Sequence, residues 1–79
     1  MRILFFSQAR LAAGQGEVEW ILDKPLSVQA FWERLIAQFP QLAPYRAMTR
    51  LARNGQYVTS DICFENSDEI ALIPPVSGG

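Results

Sequence analysis

The sequence predicts an α+β fold, a mixed sheet of about five strands with one main helix packed across one face. Three observations predict it: an apolar segment typical of a strand near each end, a central segment with apolar residues at helical spacing, and the composition of a folded protein. Of the 79 residues, 49% are apolar and 19% are charged, which excludes a disordered chain. We expect one domain over residues 1–79, without room for a buried active site.

The first 22 residues predict two strands joined by a helical turn. Residues 1–6 place Ile3 and Phe5 on one face and Leu4 and Phe6 on the other, so both faces are expected to be covered. Residues 8–13 predict a short helix that a glycine loop ends. Residues 17–22 alternate with a period of two, which predicts the second strand.

The main helix is predicted to begin at Ser27, whose hydroxyl can accept a hydrogen bond from a backbone N–H of the first turn. Pro40 ends it, because proline cannot donate the backbone hydrogen bond that continues a helix. Its apolar residues form a single stripe, which we interpret as core rather than as a cofactor site. They are Val28, Phe31, Trp32, Leu35, Ile36 and Phe39.

The second half predicts a hairpin and a final strand. Residues 40–44 are expected to form a loop or short turn, and Asn54-Gly55 predicts a tight turn after residues 50–53. Residues 61–64 would be extended or irregular, and residues 66–68 another turn. The last strand covers residues 69–73, and Pro74 and Pro75 end its pairing because they lack amide donors.

The face of this sheet that the helix cannot cover would still be apolar. The helix side takes Ile3, Phe5, Val18, Trp20, Ile70 and Leu72, and the far side keeps Leu4, Phe6, Tyr57 and Ile73. Several apolar side chains on neighbouring strands form the kind of patch that marks a protein partner. The residues predicted to bind that partner are Phe6, Tyr57, Ile73, Pro74, Pro75 and Val76.

Composition excludes most other functions. The chain has no His and one Cys, which removes zinc sites, Cys-His dyads and Ser-His-Asp triads, and we expect no bound metal or cofactor. A net charge of -1 gives no electrostatic attraction to nucleic acid or to a membrane surface. No apolar run is long enough for a membrane span and the first residues do not resemble a secretory signal, so we expect a cytoplasmic protein.

Three other groups of side chains receive a structural interpretation. Cys63, with no His to activate it, is expected to be buried as a small hydrophobe. The four carboxylates between residues 61 and 69 are interpreted as solvated turn residues rather than metal ligands. Arg46, Arg50 and Arg53 form a basic cluster that is too small for nucleic acid but adequate as part of a protein interface.

The remaining candidate for chemistry is the Gly78-Gly79 end, which follows a rigid Pro74-Pro75 pair. Two residues without a Cβ form a backbone slender enough to enter a narrow cleft. The α-carboxylate of Gly79 would be the reacting group. Because an ionised carboxylate is a poor electrophile, another enzyme has to activate it. Residues 76–79 are therefore expected to form a flexible tail that is inserted into a partner.

The sequence resembles the small, sulfur-carrying subunits of molybdopterin synthase over essentially its whole length. The stretches that carry the resemblance are Leu4-Phe5-Phe6 with Arg10 and Gly14, Asn54 with Asp68-Glu69, and above all Pro74-Pro75-Val76-Ser77-Gly78-Gly79. The resemblance implies a ubiquitin-like β-grasp fold. It also implies that a ubiquitin-activating-like enzyme uses ATP to adenylate Gly79 and that a sulfur donor protein converts the adenylate to a thiocarboxylate.

The same resemblance implies a partner. The tail would enter the active site of a large catalytic subunit, in a heterotetramer of two small and two large subunits, with Gly78 keeping it slender. Sulfur would pass there to a pyranopterin precursor of the molybdenum cofactor. The chain by itself would not be an enzyme.

Three alternatives remain open at this point. The chain could carry sulfur for another pathway, such as that of the thiamine thiazole. It could modify proteins by conjugating Gly79 to their lysines. It could also be a plain β-grasp interaction module, for which the last two residues would be dispensable.

Overall fold

A five-stranded mixed sheet forms the centre of the fold in the computed structural model, which describes residues 1–75. Its strands are β1 (Arg2–Phe5), β2 (Glu17–Glu19), β4 (Arg50–Arg53), β5 (Gln56–Tyr57) and β7 (Glu69–Ile73). Their order is β2-β1-β7-β4-β5. Only the β1–β7 pair is parallel among these strands. The predicted mixed sheet of about five strands is confirmed, and β7 lies at its middle.

Two very short strands form a separate antiparallel pair. They are β3 (Leu26–Ser27) and β6 (Cys63–Phe64). The pair brings the segment before the main helix against the segment after the hairpin. Each strand is too short for an alternation of apolar and polar residues to indicate it. The sequence predicted only extended or irregular structure for residues 61–64.

Three helical segments cover one face and one end of the sheet. Helix α1 (Ser7–Ala13) ends at Gly14, which has a φ of 75°. Helix α2 (Val28–Gln38) begins as predicted, with the Ser27 hydroxyl accepting from the Ala30 N–H at 3.1 Å. None of the helices in residues 1–75 has the length and apolar character that crossing a membrane requires.

The third segment is a 3-10 helix over Pro40–Met48. The sequence predicted a loop or short turn over residues 40–44, and this was wrong, because the segment is a regular 3-10 helix. Proline at the first helical position has no N–H to lose and a φ that suits a helix, so Pro40 starts the segment rather than interrupting it. Leu42, which is fully buried, holds it against the core.

The core lies between the sheet and α2. Phe31 of α2 is its centre, with ring centroids of Trp20, Trp32 and Phe64 at 5.6, 5.9 and 5.2 Å. The predicted stripe is confirmed, because Phe31, Trp32, Leu35 and Phe39 are buried while Val28 and Ile36 pack partly buried against the core. The predicted helix-facing residues of the sheet are also confirmed. They are Ile3, Phe5, Val18, Trp20, Ile70 and Leu72.

A side-chain clamp fixes the start of β7. Asn54, at a φ of 51° in the hairpin turn, accepts from the Glu69 N–H at 2.9 Å and donates to the Asp68 carboxylate at 3.0 Å. Asp68 in turn accepts from the Glu65 N–H at 2.8 Å. We call this set the Asn54–Asp68 clamp. It ties the β4–β5 hairpin to β7 and thereby fixes where β7 begins.

Candidate functional site

The face of the sheet opposite α2 carries the predicted partner patch. Leu4, Ala71, Ala52 and Tyr57 lie side by side across β1, β7, β4 and β5. The next row contains Ile73 opposite Arg50, and Phe6 follows β1 at the same level. Phe6 and Tyr57 are about half exposed, at 48% and 50%. We call this surface the open face, because both rings remain about half exposed among residues 1–75.

Arg50 and Tyr57 are in contact in the apolar part of this surface. The guanidinium carbon of Arg50 lies 3.9 Å from the centroid of the Tyr57 ring. Such a contact between a cation and a ring is modestly attractive at an exposed site and limits the motion of both side chains. Sequence reasoning did not find it, since it depends on which residues of β4 and β5 face each other.

The opposite end of the open face is charged. Arg2 donates two hydrogen bonds to the Glu17 carboxylate and one to Glu69, each at 3.2 Å. The hydrogen bond with Glu17 raises the pKa of Arg2 above its ordinary value, and the charges of Glu17 and Glu69 act in the same direction. Glu19 pairs with Arg2 across the sheet. Three carboxylates thus surround one guanidinium at this end.

The C-terminal segment leaves the sheet at the apolar end of the open face. Ile73 is partly buried, Pro74 is buried and Pro75 is exposed. Of the two prolines, Pro75 offers the larger surface to a partner. The predicted site residues Val76, Gly78 and Gly79 lie outside the described residues.

Cys63 is exposed, so the prediction that it is buried was wrong. The neighbouring Phe64 is fully buried, and successive residues of a strand point to opposite faces, so Cys63 must point outward. It lines a groove with Ser27 and Asp61.

The carboxylates between residues 61 and 69 act in part as turn residues. Asp68 belongs to the Asn54–Asp68 clamp, and Glu69 pairs with Arg2. Within residues 1–75 no three His, Cys, Asp or Glu side chains lie close enough together to hold a metal ion. No buried side chain in this range is polar or charged.

The three arginines predicted as a cluster do not share one face. Arg50 pairs with Ile73 and lies on the open face, whereas Arg53 pairs with Ile70, which faces the core. Arg46 lies on the 3-10 helix. Arg50 alone of the three therefore belongs to the candidate binding surface by its place in the register.

The described residues present an exposed surface and no buried charged side chain. The chain has no His to act as a general base, and residues 1–75 contain no buried charged side chain of the kind that acid–base catalysis uses. What remains is an apolar surface with one charged end and a chain that continues from Pro75 into Val76-Ser77-Gly78-Gly79. This arrangement suits docking on another protein that supplies the chemistry.

Comparison with known proteins finds relatives over the whole chain. Residues 3–79 match the ThiS family. The molybdopterin synthase sulfur carrier subunit of Arabidopsis thaliana is 32% identical over 79 residues, which cover 100% of this chain and 82% of that relative.

Solved structures with a similar fold also cover nearly the whole chain. SAMP1, the small archaeal modifier protein 1 of Haloferax volcanii, superposes with a TM-score of 0.84 at 26% identity, covering 100% of this chain and 98% of its own. A complex of subunits 1 and 2 of molybdopterin-converting factor from Helicobacter pylori contains a chain with a TM-score of 0.67 at 19% identity, covering 99% and 96%. The latter shows the fold alone. Together they confirm the predicted ubiquitin-like β-grasp fold.

Proposed function

The chain belongs to the ThiS family and, within it, to the molybdopterin synthase sulfur carrier subunits, and we propose from this that Gly79 carries sulfur as a thiocarboxylate. The observation that supports it best is the position of β7. The middle strand of the sheet ends beside the open face, so a protein docked on that face would receive the C-terminal residues at the same place.

The proposed chemistry takes place on the terminal carboxylate. A carboxylate oxygen of Gly79 attacks the α-phosphate of ATP in an adenylating enzyme, and pyrophosphate leaves. The outer sulfur of a persulfide on a donor protein then attacks the acyl carbon, and AMP leaves with the carboxylate oxygen. A thiol next attacks the donor cysteine sulfur of the resulting acyl disulfide, which releases the thiocarboxylate and leaves a disulfide on the donor. We propose that these steps, and hence the protein, are cytoplasmic.

The proposed acceptor of the sulfur is a pyranopterin precursor in the active site of a large subunit. The Helicobacter pylori structure is a complex of two subunits of molybdopterin-converting factor, which supports a two-subunit assembly. We propose that the open face, through Phe6, Tyr57 and Ile73, supplies the docking surface, with two small and two large subunits in the complex. Gly78 and Gly79 would then reach the acceptor, because a backbone without Cβ atoms passes through a narrow cleft.

Deletion of Gly79, or addition of one residue after it, tests the proposal directly. Either change displaces the acyl carbon by about 3.5 Å, which is more than a reacting geometry tolerates. We expect sulfur transfer to be lost, while the free energy of unfolding and the binding of the large subunit change little. Gly78→Val should act in the same direction by blocking the cleft.

Two assays measure this outcome. One follows molybdopterin formation by the reconstituted two-subunit enzyme with the carrier supplied as thiocarboxylate, and the other follows ATP-dependent adenylation of the free chain. Lys24→Ala, an exposed change in the turn before β3, serves as the control that keeps full activity. Full activity of the Gly79 deletion in both assays would show that the carboxylate is not the sulfur carrier.

The similarity to SAMP1 favours a second candidate, in which Gly79 is conjugated to lysines of other proteins. The same activated carboxylate serves both functions, and they differ in the nucleophile that attacks it. Mass spectrometry of the chain from its own cells separates them. A thiocarboxylate adds the mass difference of sulfur for oxygen, whereas conjugation gives an isopeptide bond between Gly79 and a lysine.

A further inference from the structure

Arg50 is the charged side chain that the sheet register places in the apolar part of the open face. It lies opposite Ile73, one row from Leu4 and Ala71, and its guanidinium covers the Tyr57 ring at 3.9 Å. A partner that covers Tyr57 and Ile73 therefore covers Arg50 as well.

The described part of the chain provides no counter-charge for Arg50. Both ion pairs found in residues 1–75 belong to Arg2, at the other end of the open face. There the carboxylates of Glu17, Glu19 and Glu69 outnumber the single guanidinium. The open face is thus positive where the C-terminal segment leaves the sheet and negative at the opposite end.

A partner that docks on the open face removes water from the Arg50 guanidinium. A guanidinium that loses its water without a counter-charge strongly opposes binding. The guanidinium carries its N–H groups in its own plane, so while one flat side lies over Tyr57 its edge stays free to donate two parallel hydrogen bonds to a carboxylate.

Resting on the proposed function, we propose that an Asp or Glu of the large subunit pairs with Arg50 in the complex and sets the direction in which that subunit docks. In the reversed direction the same carboxylate would meet Glu17, Glu19 and Glu69, and like charges brought together at an interface oppose binding. Arg50 is therefore a specificity-determining residue, and it selects the orientation that brings the large subunit to the end of β7.

The test compares Arg50→Met and Arg50→Glu in binding to the large subunit encoded by the same organism. Methionine keeps an apolar contact with Tyr57 and removes the charge. We expect Arg50→Met to raise the Kd about 30-fold, mainly through faster dissociation, and Arg50→Glu to raise it more than about 100-fold. Replacing the partner carboxylate with Arg should restore much of the affinity of Arg50→Glu.

Arg34 offers a matched control on the other side of the molecule. Its guanidinium lies 4.4 Å from the Trp20 ring, on the exposed side of α2. Arg34→Met and Arg34→Glu remove or reverse the same kind of charge over the same kind of ring and should leave the Kd within about two-fold. Thermal unfolding of each variant checks that it is folded at the temperature of the binding assay.

The outcomes are distinct. An unchanged Kd for Arg50→Met, a change confined to the salt-dependent association rate, or an equal loss in the Arg34 variants would overturn the inference and leave the proposed function intact. Failure of the parent chain to bind the large subunit would overturn both. The Gly79 assays test the proposed function without using Arg50.

Discussion

The two faces of the sheet differ in what covers them, and this difference separates stability from binding. On the helix side, Ile3, Phe5, Ile70 and Leu72 are at most 2% exposed beneath α2. On the open face, Phe6 and Tyr57 keep about half of their surface exposed. Strands β1 and β7 carry apolar residues on both faces, and α2 covers one of these faces.

The comparison predicts that stability and partner binding draw on different apolar surfaces of this small chain. Burial of large apolar side chains supplies most of the stabilising free energy, and one covered face concentrates it around Phe31. The open face keeps apolar surface that contributes when a partner removes it from water. Substitutions on the two faces should therefore change different measured quantities.

The largest expected effect lies on the covered face. Phe31→Ala removes a fully buried ring and leaves a cavity among Trp20, Trp32 and Phe64. We expect the free energy of unfolding to fall by about 3–5 kcal/mol, as measured by denaturant titration. The control is Leu11→Ala on the exposed side of α1, where 82% of the residue is accessible and the change should be under about 0.5 kcal/mol. Similar midpoints for Phe31→Ala and the parent would contradict the assignment of this face.

At Phe6 we expect a smaller effect, on the binding affinity rather than on the free energy of unfolding. Phe6→Asp places a charge on the open face and should weaken binding of the large subunit by about 2 kcal/mol, measured by calorimetry. Stability should not suffer. Phe6 occupies the N-cap position of α1 without a side-chain cap, and aspartate is a favourable residue there.

The control for Phe6→Asp adds the same charge on the helix side. Gln29→Asp lies on the exposed part of α2 and should leave the affinity unchanged. Equal affinity of the Phe6 variant and the parent would show that the open face is not the docking surface.

The smallest of the three effects concerns the cap of the covering helix. Ser27→Ala removes the acceptor of the Ala30 N–H and should lower the free energy of unfolding by about 1 kcal/mol without changing binding. Ser60→Ala, at an exposed bend, is the matched substitution that should have no effect. A loss of affinity in Ser27→Ala would mean that the two faces are not independent.

Local sequence patterns were sufficient for the long elements. Alternating apolar residues and the following prolines predict the bounds of β7. Helical spacing and the Ser27 cap predict α2. Each of these signals involves residues that are close together in the sequence. The hairpin turn at Asn54-Gly55 follows in the same way, because both residues adopt a positive φ. These signals are local, so a sequence displays them.

Features that depend on pairing between distant segments were missed. The β3–β6 pair joins Ser27 to Cys63, 36 positions further along the chain, and Leu26 to Phe64, and it decides that Cys63 faces outward. The contact of Arg50 with Tyr57 likewise depends on the register of two strands. For Gly79 the situation is reversed: its proposed role comes from the sequence and family, and no described contact was needed to suggest it.

The parallel pairing of β1 and β7 determines how the fold responds to mechanical force. The two strands share four residue pairs, from Arg2–Glu69 to Phe5–Leu72. Because they run in the same direction, pulling the chain beyond Ile73 against a hold at the start of β1 loads their hydrogen bonds together, in shear, rather than one after another. The Asn54–Asp68 clamp adds resistance at the first residues of β7. A single-molecule pulling experiment along this direction should therefore require a higher force than one that peels β5 from the sheet edge.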